Sequence, residues 1–431
     1  MRMTNPQDLI TVSIVGAGSR AGAYINALEA NYHGKFKVVA VAEPRAERRK
    51  YFQEKYQIPD SMIFGGYEEF IKQPRLSDIV IIATLDDMHY IPTIDAIKKG
   101  YDIILEKPIA MTVEETVAIG EYGAKHPNQL IAICHVLRHS PFFRKIKEII
   151  DSKELGNVID IQHNENVGYY HFAHSYVRGN WRNTKISAPF IVAKSCHDLD
   201  ILLYLLGDKH CQRIASLGSL TFFNHDNYRP DIMAPRCADC SIEKDCPYSA
   251  LKIYSSGKIR SVVFDTSTEE TLRKELATSN YGRCVFACDN DVPDHQVTIL
   301  EFEKGVHATF NLSAFTDKIH RSIKVMCEYG EIRGIETTKE IEITHFGTNE
   351  KRIITPQMLA GGHGGADTGF IINFMETYLN NKPFDSTLAM SIESHVMAFA
   401  AEESRLQNGK MIDVAKYHQS IKDKTEGRKI G

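Results

Sequence analysis

Short apolar segments alternate with helical segments in the part of the chain that precedes residue 135. The short segments are rich in β-branched residues, and after the first of them the apolar positions Ala23, Tyr24, Ala27 and Leu28 fall at helical spacing. Strands that alternate with helices in this way predict a parallel, doubly wound α/β sheet. The predicted strands are Val12–Val15, Lys37–Ala42, Met62–Phe64, Ile79–Ala83, Asp102–Leu105 and Leu130–Ile133.

The pattern changes after residue 134, where helices and strand-like segments no longer alternate regularly. We therefore expect a first domain at residues 1–134 and a second at residues 135–431. Helices of the second domain are predicted at Phe142–Ile150, Ser195–Leu206, Phe370–Leu379 and Thr387–Leu406. Its strand-like segments, separated by turn residues, are Ile159–His163, Ile214–Leu220, Val297–Phe302, Val306–Leu312, Ser322–Glu328 and Ile341–His345.

Composition narrows the classes of partner. A chain of 431 residues exceeds one ordinary hydrophobic core, which agrees with two domains. The formal net charge of −4, with 25% charged residues, gives no field that would attract nucleic acid or an anionic membrane. The first residues are polar, and no apolar run is long enough to cross a membrane. We expect a cytoplasmic protein with a small, neutral or weakly charged ligand.

A glycine-rich turn follows the first predicted strand. It contains Gly16, Gly18 and Gly22, with Ser19 and Arg20 between the last two glycines. A pyrophosphate group can approach the backbone amides at a helix N-terminus only where no Cβ intervenes. The third glycine comes one place later than in the usual G-x-G-x-x-G pattern, so the turn alone is a weak signal. Together with the strand and helix around it, the turn predicts a dinucleotide site.

An acidic residue in the expected place supports this interpretation. Glu43 ends the second strand about twenty residues after the glycines, where a carboxylate binds the adenosine ribose hydroxyls. A carboxylate there would repel a 2′-phosphate, so NAD is favoured over NADP. Arg45 lies two residues further on and keeps NADP open.

Two other segments occupy carboxyl ends of predicted strands, where ligands of such sheets bind. Residues 83–89 form a turn in which Thr84 and His89 are candidates for cofactor contacts. The tripeptide Glu106-Lys107-Pro108 directly follows the fifth strand, and the proline restricts the conformation of Lys107. A lysine at the mouth of a nicotinamide pocket can bind a substrate hydroxyl and assist proton movement. The alternative is an ordinary surface lysine after a strand.

The glycine-rich turn, Glu106-Lys107-Pro108 and the later Cys196-His197-Asp198-Leu199-Asp200 together resemble the Gfo/Idh/MocA family of oxidoreductases. The resemblance implies a Rossmann domain followed by an α+β domain with a large open, mainly antiparallel sheet. It also implies that Lys107 contacts the reacting hydroxyl, that His197 completes the catalytic site, and that Glu106 lies beside the cofactor. Because a partner subunit usually covers the open sheet, we expect a homodimer or homotetramer.

One position departs from the family pattern. Many members carry an aspartate four residues before the histidine, whereas this chain has Ala193 there, with Lys194 beside it. The usual aspartate–histidine relay is therefore in doubt. Lys194 and His197 are three residues apart on a helix, so they could form a cationic pair in which each lowers the pKa of the other. Either could then act as the base.

Two segments are candidates for substrate binding. The loop between residues 168 and 189 is rich in rings and charges, including Tyr170, His174, Trp181 and Arg182, and it could be a carbohydrate lid or a packed surface loop. The glycine-rich segment 361–367 contains His363, which the resemblance places beside the substrate. A flexible turn is the alternative for this second segment.

Cysteines cluster in a polar insertion at about residues 224–260. Cys237, Cys240 and Cys246 have the spacing of a zinc knuckle that lacks its fourth ligand. Candidates for the fourth ligand are Cys284, Cys288 and His225. The site would be structural, and the alternative is a group of reduced thiols.

These observations predict an NAD(P)-dependent dehydrogenase. Its substrate would be a secondary alcohol of a sugar, cyclitol or glycoside, with Lys107 and either His197 or Lys194 removing the hydroxyl proton. Two alternatives remain open. The protein could cleave glycosides through transient oxidation at C3 with tightly held NAD, or it could be a sugar-sensing regulator that binds the dinucleotide without chemistry.

Overall fold

The computed structural model describes residues 9–257, 259, 268–348 and 350–426. Residues 1–8 and 427–431 of the two predicted domains, and residues 258 and 260 of the predicted insertion, lie outside the described residues. Over the described part of the chain, the strands form a six-stranded sheet and a nine-stranded sheet.

The six-stranded sheet is parallel, with the strand order β3-β2-β1-β4-β5-β6. Its strands are β1 Ile10–Val15, β2 Phe36–Ala42, β3 Ile63–Phe64, β4 Ile79–Ile82, β5 Asp102–Leu105 and β6 Ile131–Ile133. The chain reverses its direction of winding between β1 and β4, which is the switch point where ligands of such sheets bind. The predicted doubly wound sheet is confirmed.

Helices cover both faces of this sheet and continue into the second part of the chain. They are α1 Ser19–Tyr32, α2 Ala46–Tyr56, α3 Tyr67–Phe70, α4 Tyr90–Lys98, α5 Val113–Ala124, α6 Pro141–Ser152, α7 Tyr169–Phe172, α8 Phe190–Leu206, α9 Ala250–Ser255, α10 Glu269–Thr278, α11 Ala366–Asn380, α12 Leu388–Leu406 and α13 Val414–Glu426. No described helix is long and apolar enough to cross a membrane.

The second sheet is mixed but mainly antiparallel, as predicted. Its order is β14-β13-β12-β11-β7-β10-β9-β8-β15, and only β7 and β10 pair in parallel among its described strands. The strands are β7 Val158–Asn166, β8 Cys211–Ser219, β9 His295–Phe302, β10 Val306–Ser313, β11 His320–Cys327, β12 Gly330–Ile335, β13 Glu340–His345, β14 Lys351–Ile354 and β15 Ile412–Asp413.

One face of this sheet packs on helices, and the other face is exposed. Helix α8 packs on the inner face against β7 and β10, and α12 packs against both α8 and β8. On the outer face, Leu217, Val297 and Ile299 are exposed although they are apolar. The sheet is therefore open on one side.

The C-terminal helices pack against helices of the six-stranded sheet: α11 contacts α1, and α12 and α13 contact α5. A Cβ at Gly120 of α5 would lie 2.9 Å from Ile392 of α12, so this glycine permits close packing of the two helices. Helix α11 contacts α1 in the same region of the fold. Two segments distant in sequence thus meet beside the glycine-rich turn.

The buried helix near the site starts earlier than predicted. Helix α8 begins at Phe190, directly after Pro189, rather than at Ser195. Residues 190–193 are buried apolar residues, and tertiary burial of such a run extends the helix by more than one turn. Lys194 and His197 consequently lie in the second turn of α8 and not at its start.

Candidate active site

The glycine-rich turn is shaped for close approach of a ligand to the backbone. Gly16 has φ +87°, and a Cβ there would lie 2.6 Å from the Ala83 carbonyl oxygen, so the turn requires glycine. Helix α1 begins at Ser19, and among the described residues no side chain caps its N-terminus. A Cβ added at Gly22 would meet no atom within 4 Å. The first amides of α1 are therefore available to an anion, as a dinucleotide pyrophosphate requires.

Glu43 lies beside this turn and fixes its shape. Its carboxylate is buried and accepts hydrogen bonds from the backbone N–H groups of Ala17 (2.9 Å) and Arg45 (3.0 Å). Each oxygen keeps a further lone pair, so the carboxylate can still accept a ribose hydroxyl. The Arg45 residue itself is exposed.

The turn after β4 is tied to the turn after β5 through a histidine. The Nδ1 atom of His89 lies 2.7 Å from the Pro108 carbonyl oxygen, and Nε2 lies 3.3 Å from the Thr84 carbonyl oxygen. His89 is almost fully buried, and Thr84 bonds through its hydroxyl to Met88. His89 thus holds the two turns together through Nδ1, and the backbone of Thr84 lies next to Gly16.

Lys107 reaches from the first domain to the second. Its Nζ donates a hydrogen bond of 2.8 Å to the carbonyl oxygen of Ala193 in α8. This carbonyl lies one helical turn before His197, so the lysine and the histidine approach the same region. The two predicted catalytic residues are brought together even though 90 positions separate them in the sequence.

Arg20 connects the cofactor turn to both sides of the site. Its Nε donates to Glu106 (2.6 Å), and its two Nη atoms donate to the Asp367 carboxylate (3.0 and 2.9 Å). The buried Glu106 carboxylate also accepts from the Tyr24 hydroxyl and from the backbone N–H of Lys107 (3.0 Å). Arg20 and Glu106, two of the residues predicted at the cofactor, are therefore bonded to each other and hold the Lys107 turn in place.

His363 lies at the site through the same network. Its Nδ1 is 3.1 Å from Asp367 Oδ1, and its ring centroid is 6.3 Å from that of His197. Burial alone would raise the pKa of Asp367, but the hydrogen bonds from His363 and Arg20 outweigh it and hold this pKa well below its ordinary value. A permanently ionised carboxylate thus orients His363 towards His197.

His197 is a neutral imidazole inside the protein. Burial, and then the positive charge of Lys107, lower the pKa of His197 well below its ordinary value. Its Nδ1 atom forms no hydrogen bond with any described residue, and its ring packs edge-on against His135 at 5.6 Å. A buried, neutral ring with an unpartnered nitrogen can bind a substrate hydroxyl.

Lys194 is paired with a carboxylate and does not form the expected cationic pair with His197. Its Nζ lies 3.0 Å from Glu165 Oε1 on β7, and Arg321 on β11 binds the other Glu165 oxygen at 2.9 Å. Arg321 also donates to Asp198 at 2.7 Å. The charge of Lys194 is therefore balanced by a buried carboxylate. Sequence reasoning missed Glu165 and Arg321, because only the pairing of β7 with β11 brings them under α8.

Only some of the candidate substrate ligands in the loop between residues 168 and 189 lie near the site. The Nε1 of Trp181 donates to the Asp86 carboxylate at 3.3 and 3.2 Å, which places this ring over the strand ends of the first domain. Tyr170 packs against the main core, close to Gly168. His174 and Arg182 point elsewhere: His174 bonds to Tyr254 at 2.8 Å, and Arg182 forms an ion pair with Asp289 at 2.9 Å.

Two buried groups near the site have no counterpart among the sequence-based candidates. Asp86 was part of the turn 83–89 but was not singled out, and its exposed fraction is 7%. Asp367 ends the glycine-rich segment, where its role depends on Arg20 from the other end of the chain. The signal that could have identified Asp86 is an acid in the turn that follows a buried strand, four residues after its end.

The predicted zinc site is not supported. In the described ranges, no group of three or more His, Cys, Asp or Glu side chains is arranged to hold a metal ion. Cys237, Cys240, Cys246 and Cys284 line one small cavity, yet the first two thiols point towards separate carbonyl oxygens, those of Arg283 and Ile232. Burial raises the pKa of Cys246 and, to about 11, that of Cys284.

Comparisons with known proteins agree with this geometry. Residues 10–133 match the model of an oxidoreductase family with an NAD-binding Rossmann fold, and residues 147–227 match the C-terminal alpha/beta domain of the same family. YteT of Bacillus subtilis (strain 168) is 25% identical over 371 residues, which cover 82% of this chain and 85% of YteT.

Other similar proteins are dehydrogenases. An inositol 2-dehydrogenase of Burkholderia lata is 26% identical over 201 residues, and the alignment covers 47% of this chain and 56% of that enzyme. A solved structure of levoglucosan dehydrogenase with NADH and levoglucosan superimposes with a TM-score of 0.70 at 16% identity, covering 94% of this chain and all of that one. The models of the N-terminal and C-terminal domains of the Gfo/Idh/MocA oxidoreductase family thus match residues 10–133 and 147–227 of this chain, in agreement with the resemblance of its three motifs.

Proposed function

We propose that this protein is an NAD-dependent dehydrogenase that interconverts a secondary alcohol of a sugar, cyclitol or glycoside and the corresponding ketone. The observation that carries the proposal is the hydrogen bond from Lys107 Nζ to the Ala193 carbonyl, one turn before His197. Proteins that resemble this chain include inositol and levoglucosan dehydrogenases, which supports a polyol as the substrate.

The residues fit the dinucleotide. The requirement for glycine at Gly16, the open space at Gly22 and the free amides of α1 match a pyrophosphate, and Glu43 can accept the ribose hydroxyls. When bound, the nicotinamide supplies the hydride acceptor. Arg45, which is exposed and lies two residues after Glu43, leaves weaker use of NADP compatible with the proposal.

The catalytic roles follow from protonation states and contacts. Lys107 binds the substrate hydroxyl through Nζ once Nζ leaves the Ala193 carbonyl, and only as the free amine does it accept the hydroxyl proton. Neutral His197 and the held ring of His363 bind neighbouring hydroxyls. Lys194 and Arg321 are already neutralised by Glu165 and Asp198, so an uncharged polyol fits the site better than a sugar acid.

Two further properties belong to the proposal. The exposed apolar residues Leu217, Val297 and Ile299 on the outer face of the second sheet support a homodimer or homotetramer in which a second subunit covers this face. Sedimentation of the purified protein tests this. We also propose a cytoplasmic location, with the cofactor domain at residues 1–134 and the substrate domain at residues 135–431.

A substrate screen tests the proposed function. Cyclitols, aldohexoses, anhydrosugars and glycosides are each incubated with NAD or NADP, and the reduced nicotinamide is followed by its absorbance. We expect reduction of NAD by at least one neutral polyol. Dinucleotide binding without reduction by any of them would contradict the proposal and favour a sensing role, while glycoside cleavage without net reduction would favour the elimination reaction.

A further inference from the structure

The guanidinium of Arg48 lies over the second glycine of the glycine-rich turn. Arg48 is in the first turn of α2, and a Cβ added at Gly18 would lie 3.5 Å from its Nη1 atom. Gly18 directly precedes Ser19, the first residue of α1. The arginine side chain therefore reaches from one helix of the first domain to the N-terminus of another.

A cavity of about 380 Å³ extends between this turn and α2. Its lining includes Gly18, Ser19 and Gly22 from the turn and from α1, together with Arg48 from α2. A Cβ at Gly22 would meet no atom within 4 Å, and in the described part of the chain no side chain caps α1. An anion at this end of the cavity would therefore meet free backbone N–H groups and a guanidinium.

Other cations around the turn already have partners. Arg20 is bound by two carboxylates, Arg49 by two backbone carbonyl oxygens, and Lys55, which lines the same cavity, by Glu29 at 3.0 Å. Arg48 is half-buried, yet across the described ranges its guanidinium has no hydrogen-bond or ion-pair partner. Because partial burial of an unpaired charge costs free energy, Arg48 is the cation of this group that gains most from a bound anion.

The chemistry of this side chain fits a phosphate group. A guanidinium is planar and can donate two parallel hydrogen bonds to phosphate oxygens. NAD and NADP share a pyrophosphate, whereas only NADP carries a 2′-phosphate. The buried Glu43 carboxylate, bonded to the same turn, would repel a 2′-phosphate, while a pyrophosphate approaches the backbone at Gly18 and the N-terminus of α1. The place of Arg48 beside Gly18 therefore favours the pyrophosphate.

We propose that Arg48 is a dinucleotide-binding residue whose guanidinium holds the pyrophosphate together with the first amides of α1. The inference rests on the proposed function and adds to it a residue that lies outside the glycine pattern. Since NAD and NADP carry the same pyrophosphate, Arg48 raises the affinity for either dinucleotide and does not select between them.

Equilibrium binding tests the inference without any turnover. NADH, NADPH and ADP-ribose are each titrated into the purified protein, and their dissociation constants are measured by calorimetry. Arg48→Met keeps the aliphatic part of the side chain and removes the guanidinium. We expect it to weaken the binding of all three probes by a similar factor of about 10 to 100, because each of them contains the pyrophosphate.

Two further variants separate a direct contact from a general effect of charge. Lys50→Met removes one positive charge from an exposed position of the same helix, and it should leave each dissociation constant within about twofold of the wild type. Arg48→Lys keeps the charge but not the planar fork, so its affinities should fall between those of the wild type and Arg48→Met. Added salt should weaken NADH binding to the wild type more than to Arg48→Met, because it screens the attraction that the variant lacks.

Three outcomes would overturn the inference. If the wild type binds NADH and Arg48→Met matches Lys50→Met with every probe, Arg48 does not hold the dinucleotide, and the proposed function stands. If the loss is confined to NADPH, Arg48 binds the 2′-phosphate and the pyrophosphate assignment is wrong. If the wild type binds none of the three probes, the inference and the proposed function fail together. Melting curves show whether each variant is folded, and Arg48→Lys provides the same comparison if Arg48→Met is not.

Discussion

Arg20 and Asp367 form a two-pronged ion pair across 347 positions of sequence, with N–O distances of 3.0 and 2.9 Å. Arg20 lies in the first turn of the cofactor helix α1, and Asp367 lies in the first turn of α11. The same guanidinium binds Glu106, next to Lys107, while the same carboxylate binds His363. One ion pair therefore connects the glycine-rich turn, the turn that carries Lys107 and the ring of His363.

Replacing Arg20 by lysine should weaken this alignment because an ammonium cannot reproduce the planar fork. We expect Arg20→Lys to lower the free energy of unfolding by roughly 2 kcal/mol, since it leaves the buried Asp367 and Glu106 poorly paired. Urea unfolding of Arg20→Lys, Asp367→Asn and the double variant measures the coupling. Strictly additive effects of the two substitutions would show that the pair does not act as a unit.

Lys107 should be essential for turnover but not for dinucleotide binding. Lys107→Met removes the amine that accepts the proton while keeping the aliphatic side chain, and we expect kcat to fall by about 100- to 10,000-fold. The NADH dissociation constant, from fluorescence titration, should stay near that of the wild type. Lys98→Met on the exposed side of α4 is the matched control, and equal activities of the two variants would contradict the role of Lys107.

Lys194 should affect stability more than proton transfer. Its ammonium balances Glu165, which is buried beneath α8, so Lys194→Met should lower the free energy of unfolding by about 1 to 3 kcal/mol. Adding Glu165→Gln should recover part of this loss, because the buried charge is removed as well. A pH profile of kcat/KM that changes shape in Lys194→Met would instead make Lys194 a base.

Buried neutral histidines should make the fold sensitive to acid. Burial lowers the pKa of His139 and that of His395 to about 3, while unfolded histidine titrates near its ordinary value of about 6.5. Below that ordinary value the unfolded chain binds more protons than the folded one, so stability falls as the pH is lowered from about 6.5.

His139 offers a direct test of this acid sensitivity. Neither ring nitrogen of His139 has a partner among the described residues, and the ring packs against Phe370 and Phe384. His139→Phe should therefore preserve the packing and reduce the loss of melting temperature between pH 6.5 and pH 5, values that lie at and below the ordinary pKa of about 6.5. An unchanged slope against pH would mean that His139 stays neutral in both states, or titrates in both.

Local features of the fold could be predicted from the sequence. The parallel strands, the glycine at position 16 and the place of Lys107 follow from apolar periodicity and from the chemistry of single turns. The start of α8 could not be predicted, because the helix extends to Phe190 only when its first turn is buried. Local propensity carries no information on that burial.

The hydrogen-bond and ion-pair partners of individual side chains were harder to predict than the helices and strands. His174 and Arg182 looked like substrate ligands in their loop, but in the fold Tyr254 of the insertion binds His174, and Asp289, further along the chain, binds Arg182. The cysteine spacing suggested zinc, while the direction of each thiol depends on carbonyl groups from neighbouring loops. Such pairings depend on tertiary contacts and leave no trace in spacing or composition.

The transfer of deuterium from substrate to cofactor tests the central claim most directly. A polyol that supports turnover is prepared with deuterium on its carbinol carbons, and the reduced nicotinamide is isolated and analysed by mass spectrometry. We predict that it carries one deuterium atom, because the hydride comes from the carbon whose hydroxyl contacts Lys107. Reduced nicotinamide without deuterium would contradict direct hydride transfer at this site.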